Sequence, residues 1–574
     1  MPMHHWDYLF AIGTIFAGLD AYMIGANDVA NSFATSVSSK SLTLKQACLA
    51  AALMEFLGAV LVGARVTSTI KDGIIPAAAF KGNAGVQLLA FTCAIVASSS
   101  WLTIATRMSW PVSTTYSIVS AVIGVGIAAA GWKAPAWGWN GGKGVATIFA
   151  GFAIAPGIAG AFGIVIYSLV KFGVLVRQDS TRWALFTAPL VFFLVGAVST
   201  MAIIFKGSPS LGLKDLPGNT LAAAIVGTAA VIALLSILFW LPFVHAKVIK
   251  KDYTIRWYHF FFGPLLWKRE APADAGAVDF VPNYHIRDAN ELDGGAKAPA
   301  PEGTDSEKGD EKEMDESSDP QAAAPPTNVS PLAAEVEAHP IDGPWILPKN
   351  IYIIVRYRAG PFILKALTHG SNVDIHKLQA GTEGSNGAAR VAAVHARAKQ
   401  YPNDTEHLYS FLQVFSACVA SFAHGANDVS NAIGPFSVIY HVWSSGELSG
   451  SKTPVPVWAL VFGAGMLVVG LATYGYNIMA VLGNRITLMS PSRGFSMELG
   501  SSITVILAAQ YGIPVSTTMC IVGSTIGVSL CNGDWRATNW RAIGWIFMGW
   551  VMTVPIAATV SGCLMGIILN APHF

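Results

Sequence analysis

Charge is what this sequence has least of. Only 12% of its 574 residues are Asp, Glu, Lys or Arg, against roughly 25% in an ordinary soluble domain, and 53% are hydrophobic. With a mean hydropathy of +0.50, the chain reads as a polytopic membrane protein. A formal net charge of +2 offers no basic excess for nucleic acid. The six cysteines, Cys48, Cys93, Cys418, Cys520, Cys531 and Cys563, fall in or near apolar segments without a CxxC or Cys/His spacing. That argues against a disulfide framework or a zinc site and leaves packing. The N-terminus also lacks a basic region ahead of a short apolar run. No cleaved signal peptide is expected, and the first apolar segment is read as a retained helix.

The charge that exists is segregated. Between Lys247 and Thr405 lie 18 of the 36 Lys and Arg and 22 of the 34 Asp and Glu. Residues 271–340 of this insert are acidic and rich in Pro, Ala and Ser, have little to bury, and are expected to be disordered. The flanking stretches YTIRWYHFFFGPLLWKRE and WILPKNIYIIVRYRAGPFILKAL mix aromatics with Lys and Arg. They suit interfacial segments, and an ordinary linker fits them as well. Within the apolar segments the remaining acids are few: Asp20, Asp28, Glu55, Asp428 and Glu498. An ion at the bilayer centre costs at least about 2.5–3.5 kcal/mol, so each is a functional candidate.

Two of these acids belong to a duplicated pair of motifs. IGANDVANSF at 24–33 returns as HGANDVSNAI at 424–433, and PVSTT at 111–115 returns at 514–518, with offsets of 400 and 403 residues. In the first motif Gly25 and Ala26, or Gly425 and Ala426, give the backbone room to break or to be closely approached. Asn27, Asp28 and Asn31, or Asn427, Asp428 and Asn431, then present oxygens within one turn. Such a set suits a hard cation, although a single copy would read equally well as a helix cap. In the second motif, Pro111 or Pro514 suits a first helical turn. Ser113, Thr114 and Thr115, or Ser516, Thr517 and Thr518, set hydroxyls at a helix N-terminus that can hold an oxyanion. Back-bonding of these hydroxyls to their own helix is the plain alternative. Donors for an anion beside two carboxylates that repel it require cations or protons for balance, which is the physical basis of symport. A partly protonated oxyanion can donate its O–H to an aspartate, which favours phosphate over sulfate.

Spans of about 20 apolar residues are expected near 8–28, 46–66, 86–106, 110–130, 145–172, 184–205 and 220–246, then 408–438, 456–482, 496–512, 513–531 and 541–569. The fold class is therefore all-α and polytopic, with about twelve transmembrane segments. The short pieces ending at each PVSTT are alternatively re-entrant hairpins. The repeat starts at segment 1 and again at segment 8, an odd displacement, which predicts an inverted-topology repeat with its site near the midplane. The domains are a first membrane half, 1–246, a cytoplasmic insert, 247–405, and a second membrane half, 406–574. Lys247, Lys250 and Lys251, Lys171, Arg177 and Arg182, and Arg536 and Arg541 share one side if the insert is cytoplasmic, which puts both termini outside.

The motifs GANDVANSF with PVSTT, repeated as GANDVSN with PVSTT, together with EFLGA at Glu55 and SPSRGFSMEL at 490–499, closely resemble the inorganic phosphate transporter (PiT) family. The likeness is greatest to the fungal sodium-coupled phosphate symporters. The resemblance spans essentially everything outside the insert. It implies a secondary active symporter, not an enzyme, that imports phosphate with sodium by alternating access at the plasma membrane. It has no resident cofactor, its partners are phosphate, sodium and the bilayer, and a homodimer is allowed. By motif position it assigns Ser113, Thr114, Thr115, Ser516, Thr517, Thr518, Asp28 and Asp428 to phosphate. Asn27, Asn31, Asn427 and Asn431 go with both aspartates to sodium, and Glu55 and Glu498 to transport. Family members often carry His after the threonines, where this chain has Tyr116 and Met519. That leans the coupling towards sodium, with no evident proton carrier. Proton coupling and a phosphate sensor on the same fold are the alternatives, and an intramembrane aspartyl protease is a remote one that leaves the repeat unexplained. Asp20, two turns before Asp28, lines an ion path or a water-facing helix end. Arg493 reads as a topology-fixing loop residue, or alternatively as a phosphate clamp.

Overall fold

The computed structural model describes residues 2–28, 30–63, 74–139, 144–206, 216–273, 281–284, 339–380, 385–450, 453–510 and 515–571, and these contain helices but no strand. The principal helices are α1 (Asp7–Asn27), α2 (Ala30–Ser38), α3 (Leu44–Val62), α4 (Ala84–Arg107), α5 (Thr114–Ala130), α6 (Val145–Val170), α7 (Ser180–Lys206) and α8 (Gly218–Leu235), followed by α9 (Asn403–Ser445), α10 (Val457–Tyr474), α11 (Tyr476–Leu482), α12 (Pro491–Gln510), α13 (Thr517–Leu530) and α14 (Trp540–Asn570). Among the described residues, eight helices are long and apolar enough to cross a membrane, and α5 and α13 are shorter apolar helices. α9 and α12 fall outside that group because they carry the polar residues described below. This is a multi-pass membrane protein.

Local chemistry starts the helices where the sequence places them. Thr43 and Gln46 close a reciprocal cap on α3, with the Thr43 hydroxyl accepting from the Gln46 N–H at 3.3 Å and the Gln46 side chain accepting from the Thr43 N–H at 3.0 Å. Ser113 caps α5 by accepting from Tyr116 N–H at 3.3 Å, and Ser516 caps α13 by accepting from Met519 N–H at 3.4 Å. Both PVSTT motifs therefore mark a helix N-terminus, with the positive end of its dipole at the threonines. Pro514 lies outside the described residues.

Packing between the halves is reciprocal. α1, with the first GAND, packs on α10, while α9, with the second, packs on α3. α5 packs on α14, and α13 packs on α6. Each motif helix thus touches the next membrane-length helix after its counterpart. The glycines of the two GAND copies permit two of the close approaches. A Cβ on Gly25 would sit 1.9 Å from the Leu467 carbonyl oxygen, and one on Gly425 would sit 2.3 Å from the Glu55 carbonyl oxygen. Such small-residue crossings let apolar helices associate without a hydrophobic drive between them. The two copies differ in one respect: α1 ends at Asn27, whereas the second GAND lies within the continuous 43-residue α9. At 1.5 Å per residue α9 is about 65 Å long, well beyond a roughly 30 Å hydrocarbon core.

The chain divides into two compact units, Met1–His285 with His369–Phe574, and Ile286–Thr368. The second is narrower than the insert drawn from charge, because the insert's flanks are fastened to the membrane unit. Tyr284 is buried, its hydroxyl 2.8 Å from His407 Nδ1, and Gln379 donates to the Ser38 hydroxyl at 2.6 Å. Arg269 pairs with buried Asp252 at 2.8 Å. Within the smaller unit, Pro348–Ile353 and Gly360–Leu367 are helical, and Tyr352, Phe362 and Leu364 are exposed. Most of 271–340, expected to be disordered, lies outside the described residues.

Candidate functional site

The four motif copies converge on one buried cluster. A carboxylate oxygen of Asp28, one of Asp428 and a ring nitrogen of His424 all lie within 4.8 Å of one another. Asp28 accepts from Thr114 at 2.5 Å and from Thr518 at 2.6 Å, one hydroxyl from each PVSTT. Asp428 accepts from Thr517 at 3.1 Å and from the Asn427 amide at 2.8 Å. Asn31 donates to Thr518 at 2.8 Å, and its counterpart Asn431 donates to Thr115 and Thr114, each at 3.1 Å. The amide oxygen of Asn31 is buried without a hydrogen-bond partner among the described residues. An acceptor left unmatched beside two carboxylates is chemistry for a cation or for the O–H of a protonated oxyanion.

Not every residue read from the motifs reaches this cluster in the same way. Asn27 is a staple: its amide donates to Thr106 at 2.9 Å and to the Trp110 carbonyl at 3.0 Å, and its oxygen accepts from Val112 N–H at 3.1 Å. It ties the end of α1 to the approach of α5. Ser113 and Ser516 spend their oxygens as helix caps. Glu498 stands beside the cluster, accepting from Thr35 at 2.5 Å, Ser36 at 2.9 Å and Gln413 at 3.3 Å, and also from Ser416. A cleft lined by Asn31, Ser32, His424, Glu498, Ser502 and Thr517 connects Glu498 with His424 and Thr517, which contact Asp428.

Two residues differ from their sequence reading. His424 was not singled out, yet it is buried between two acids, with Nδ1 2.8 Å from Glu55 and Nε2 2.7 Å from Asp428. Ser421 donates a further bond to Glu55 at 2.8 Å. The expectation that the site has no proton carrier is thereby corrected. The signal was available in the sequence, because the repeats differ here, Ile24 against His424. Its partner Glu55 lies 369 residues away, which no local pattern reveals. Arg493 was expected in a loop but sits in the first turn of α12, fully buried, donating to the Lys399 carbonyl at 2.5 Å and to Asn532 at 2.8 Å. Pro491 at the first helical position starts a helix there instead of ending one.

The sequence matches the phosphate transporter family over residues 24–561. It is 44% identical to the phosphate-repressible phosphate permease pho-4 of Neurospora crassa, over 100% of this chain and 99% of that one. The chain belongs to the phosphate transporter family. It is also 28% identical to the sodium-dependent phosphate transporter 1-B of Danio rerio, over 99% of this chain and 96% of that one. A solved structure of a sodium-dependent phosphate transporter has the same fold, with a TM-score of 0.62 over 98% of this chain and 100% of the other, at 22% identity. The family transports and does not catalyse, so the aspartyl protease reading is dropped.

Proposed function

We propose that this transporter imports inorganic phosphate together with sodium ions by alternating access, with Asp28 and Asp428 shared between the two substrates. The observation that carries this reading is that threonine hydroxyls of both PVSTT motifs donate to the GAND carboxylates, Thr114 and Thr518 to Asp28 and Thr517 to Asp428. A hydroxyl has one hydrogen. While it serves a carboxylate it cannot serve an anion, and a cation on the carboxylate frees it to turn. Sodium at the aspartates would then both lower the repulsion felt by phosphate and release the hydroxyls that hold it. Asn31 and Asn431 stay as amide donors to Thr518 and Thr114. Reciprocal packing of the motif helices supports an inverted repeat with the site at its interface. The basic flanks of the insert support a cytoplasmic insert and external termini, and the likeness to a phosphate permease supports residence in the plasma membrane.

Proton coupling is the second reading, and His424 favours it, since an imidazole between two carboxylates can carry a proton within the site. The sodium-dependent relatives weigh towards sodium. Uptake of labelled phosphate into vesicles, with sodium and pH gradients imposed separately, distinguishes the two. Uptake driven by a sodium gradient at uniform pH is expected, and uptake that follows only the pH gradient overturns the sodium reading.

A further inference from the structure

One buried acid takes no part in this scheme. Asp20 lies on α1 eight residues before Asp28, about 12 Å along the axis at 1.5 Å per residue. It is fully buried, so it is not at a water-facing helix end, and neither Oδ1 nor Oδ2 has a hydrogen-bond partner among the described residues. Every other buried acid described, Asp28, Glu55, Asp252, Glu406, Asp428 and Glu498, receives hydroxyl, amide, imidazole or guanidinium donors. The Ser98 hydroxyl of α4 lies near enough to favour the Asp20 carboxylate without reaching hydrogen-bond geometry, and the buried Ser98 and Ser117 hydroxyls, on α4 and α5, are 3.1 Å apart. The charged group acting on Asp20 is another acid, Asp28, which makes an uncompensated charge there still less tolerable.

The repeat shows that no fixed base supplies the compensation. Beside the second GAND motif the extra acid, Glu55 of α3, is met by a fixed base, His424 of α9. In the first half the position of that histidine is Ile24, and the position matching Asp20 in the second half is Ala420. The helix of the first GAND thus carries an acid without a base, set beside neutral hydroxyl oxygens. A single carboxylate with neutral oxygens matches a hard monovalent cation in charge and in ligand type. We propose that Asp20, with Ser98 and Ser117, forms a further sodium site on α1, separate from the aspartate pair. The site rests on the sodium-coupled reading and extends it: an ion held there neutralises an acid that would otherwise repel phosphate at Asp28.

The test is equilibrium binding of radioactive sodium to the purified full-length protein in lipid nanodiscs at fixed pH, with phosphate saturating. Asp20→Asn is expected to bind one sodium ion fewer than the unsubstituted protein. Ser98→Ala, which keeps the carboxylate, is expected to keep the count and weaken one class of ions roughly tenfold. If Asp20→Asn fails to fold, Ser98→Ala decides alone. An unchanged count in Asp20→Asn, or unchanged affinities in a folded Ser98→Ala, overturns the site. Both leave the coupling reading standing if the unsubstituted protein binds sodium. A protein that binds no sodium at all overturns both.

Discussion

Asn31 and Thr518 come from opposite halves of the chain, 487 residues apart, and meet at 2.8 Å. Thr518 passes its own hydrogen to Asp28 at 2.6 Å, so one threonine links an amide and a carboxylate of the first repeat. Its counterpart Thr115 accepts from Asn431 at 3.1 Å, but Asn431 also reaches Thr114 at 3.1 Å. The two positions are equivalent in sequence and unequal in their bonds.

Thr518→Val should therefore cost more phosphate affinity than Thr115→Val. Removing Thr518 leaves both the Asn31 amide and Asp28 short of a partner, at about 1–3 kcal/mol for each buried group left unsatisfied. Removing Thr115 leaves Asn431 with Thr114. Phosphate titration of the two purified variants checks the order, and equal losses would contradict the asymmetry.

Asp28→Asn and Asp428→Asn remove a charge while nearly preserving shape. Each should lower phosphate uptake at least tenfold, or about 1.4 kcal/mol, with normal delivery to the membrane. Uptake at the level of the unsubstituted protein, normalised to surface abundance, would remove these residues from the site.

His424→Gln leaves Glu55 and Asp428 without the imidazole between them. Breaking a buried ion pair from one side costs about 3–5 kcal/mol, whereas removing both partners is far milder. His424→Gln should therefore lose thermal stability and uptake, and Glu55→Gln with His424→Gln should recover stability. A double-mutant cycle on Tm gives the coupling energy. Additive losses would mean that the pair does not act as a unit.

How far the sequence reveals this site depends on whether a feature repeats. The aspartates, asparagines and threonines were legible because they occur twice in register, and so were most helices, through long apolar runs. His424, Arg493 and the unequal threonines were not, because each departs from the repeat or depends on a distant partner. The donors around Glu498 come from 35–36 and 413–416, a set that only the fold assembles. The reach of α9 beyond its apolar stretch was hidden because its first turns carry Asp404, which reads as insert, and Glu406, which precedes the span expected from 408.

Deleting residues 286–338 should leave phosphate uptake within about twofold, since an acidic stretch rich in Pro, Ala and Ser buries little. The deletion spares Tyr284 and Gln379, which fasten the flanks at His407 and Ser38. A longer deletion that also removes Tyr284 should lower the protein's Tm. Uptake and Tm of the two deletions, compared at equal surface abundance, separate a dispensable segment from an anchored one.

Coupling by shared carboxylates makes a quantitative demand. If sodium on Asp28 and Asp428 releases threonine hydroxyls to phosphate, sodium must raise phosphate affinity, and phosphate must raise sodium affinity by the same factor. Couplings of this kind are typically 1–3 kcal/mol, or about 5- to 150-fold. The effect should shrink in Thr518→Val, which has no hydroxyl to release, while the electrostatic part that depends on the aspartates persists. Calorimetric titration of phosphate at several fixed sodium concentrations, and of sodium at several fixed phosphate concentrations, yields both factors for the unsubstituted protein and the variant. Unequal factors would show that the two ligands are not linked through a common binding equilibrium. An undiminished factor in Thr518→Val would show that its hydroxyl does not carry the link.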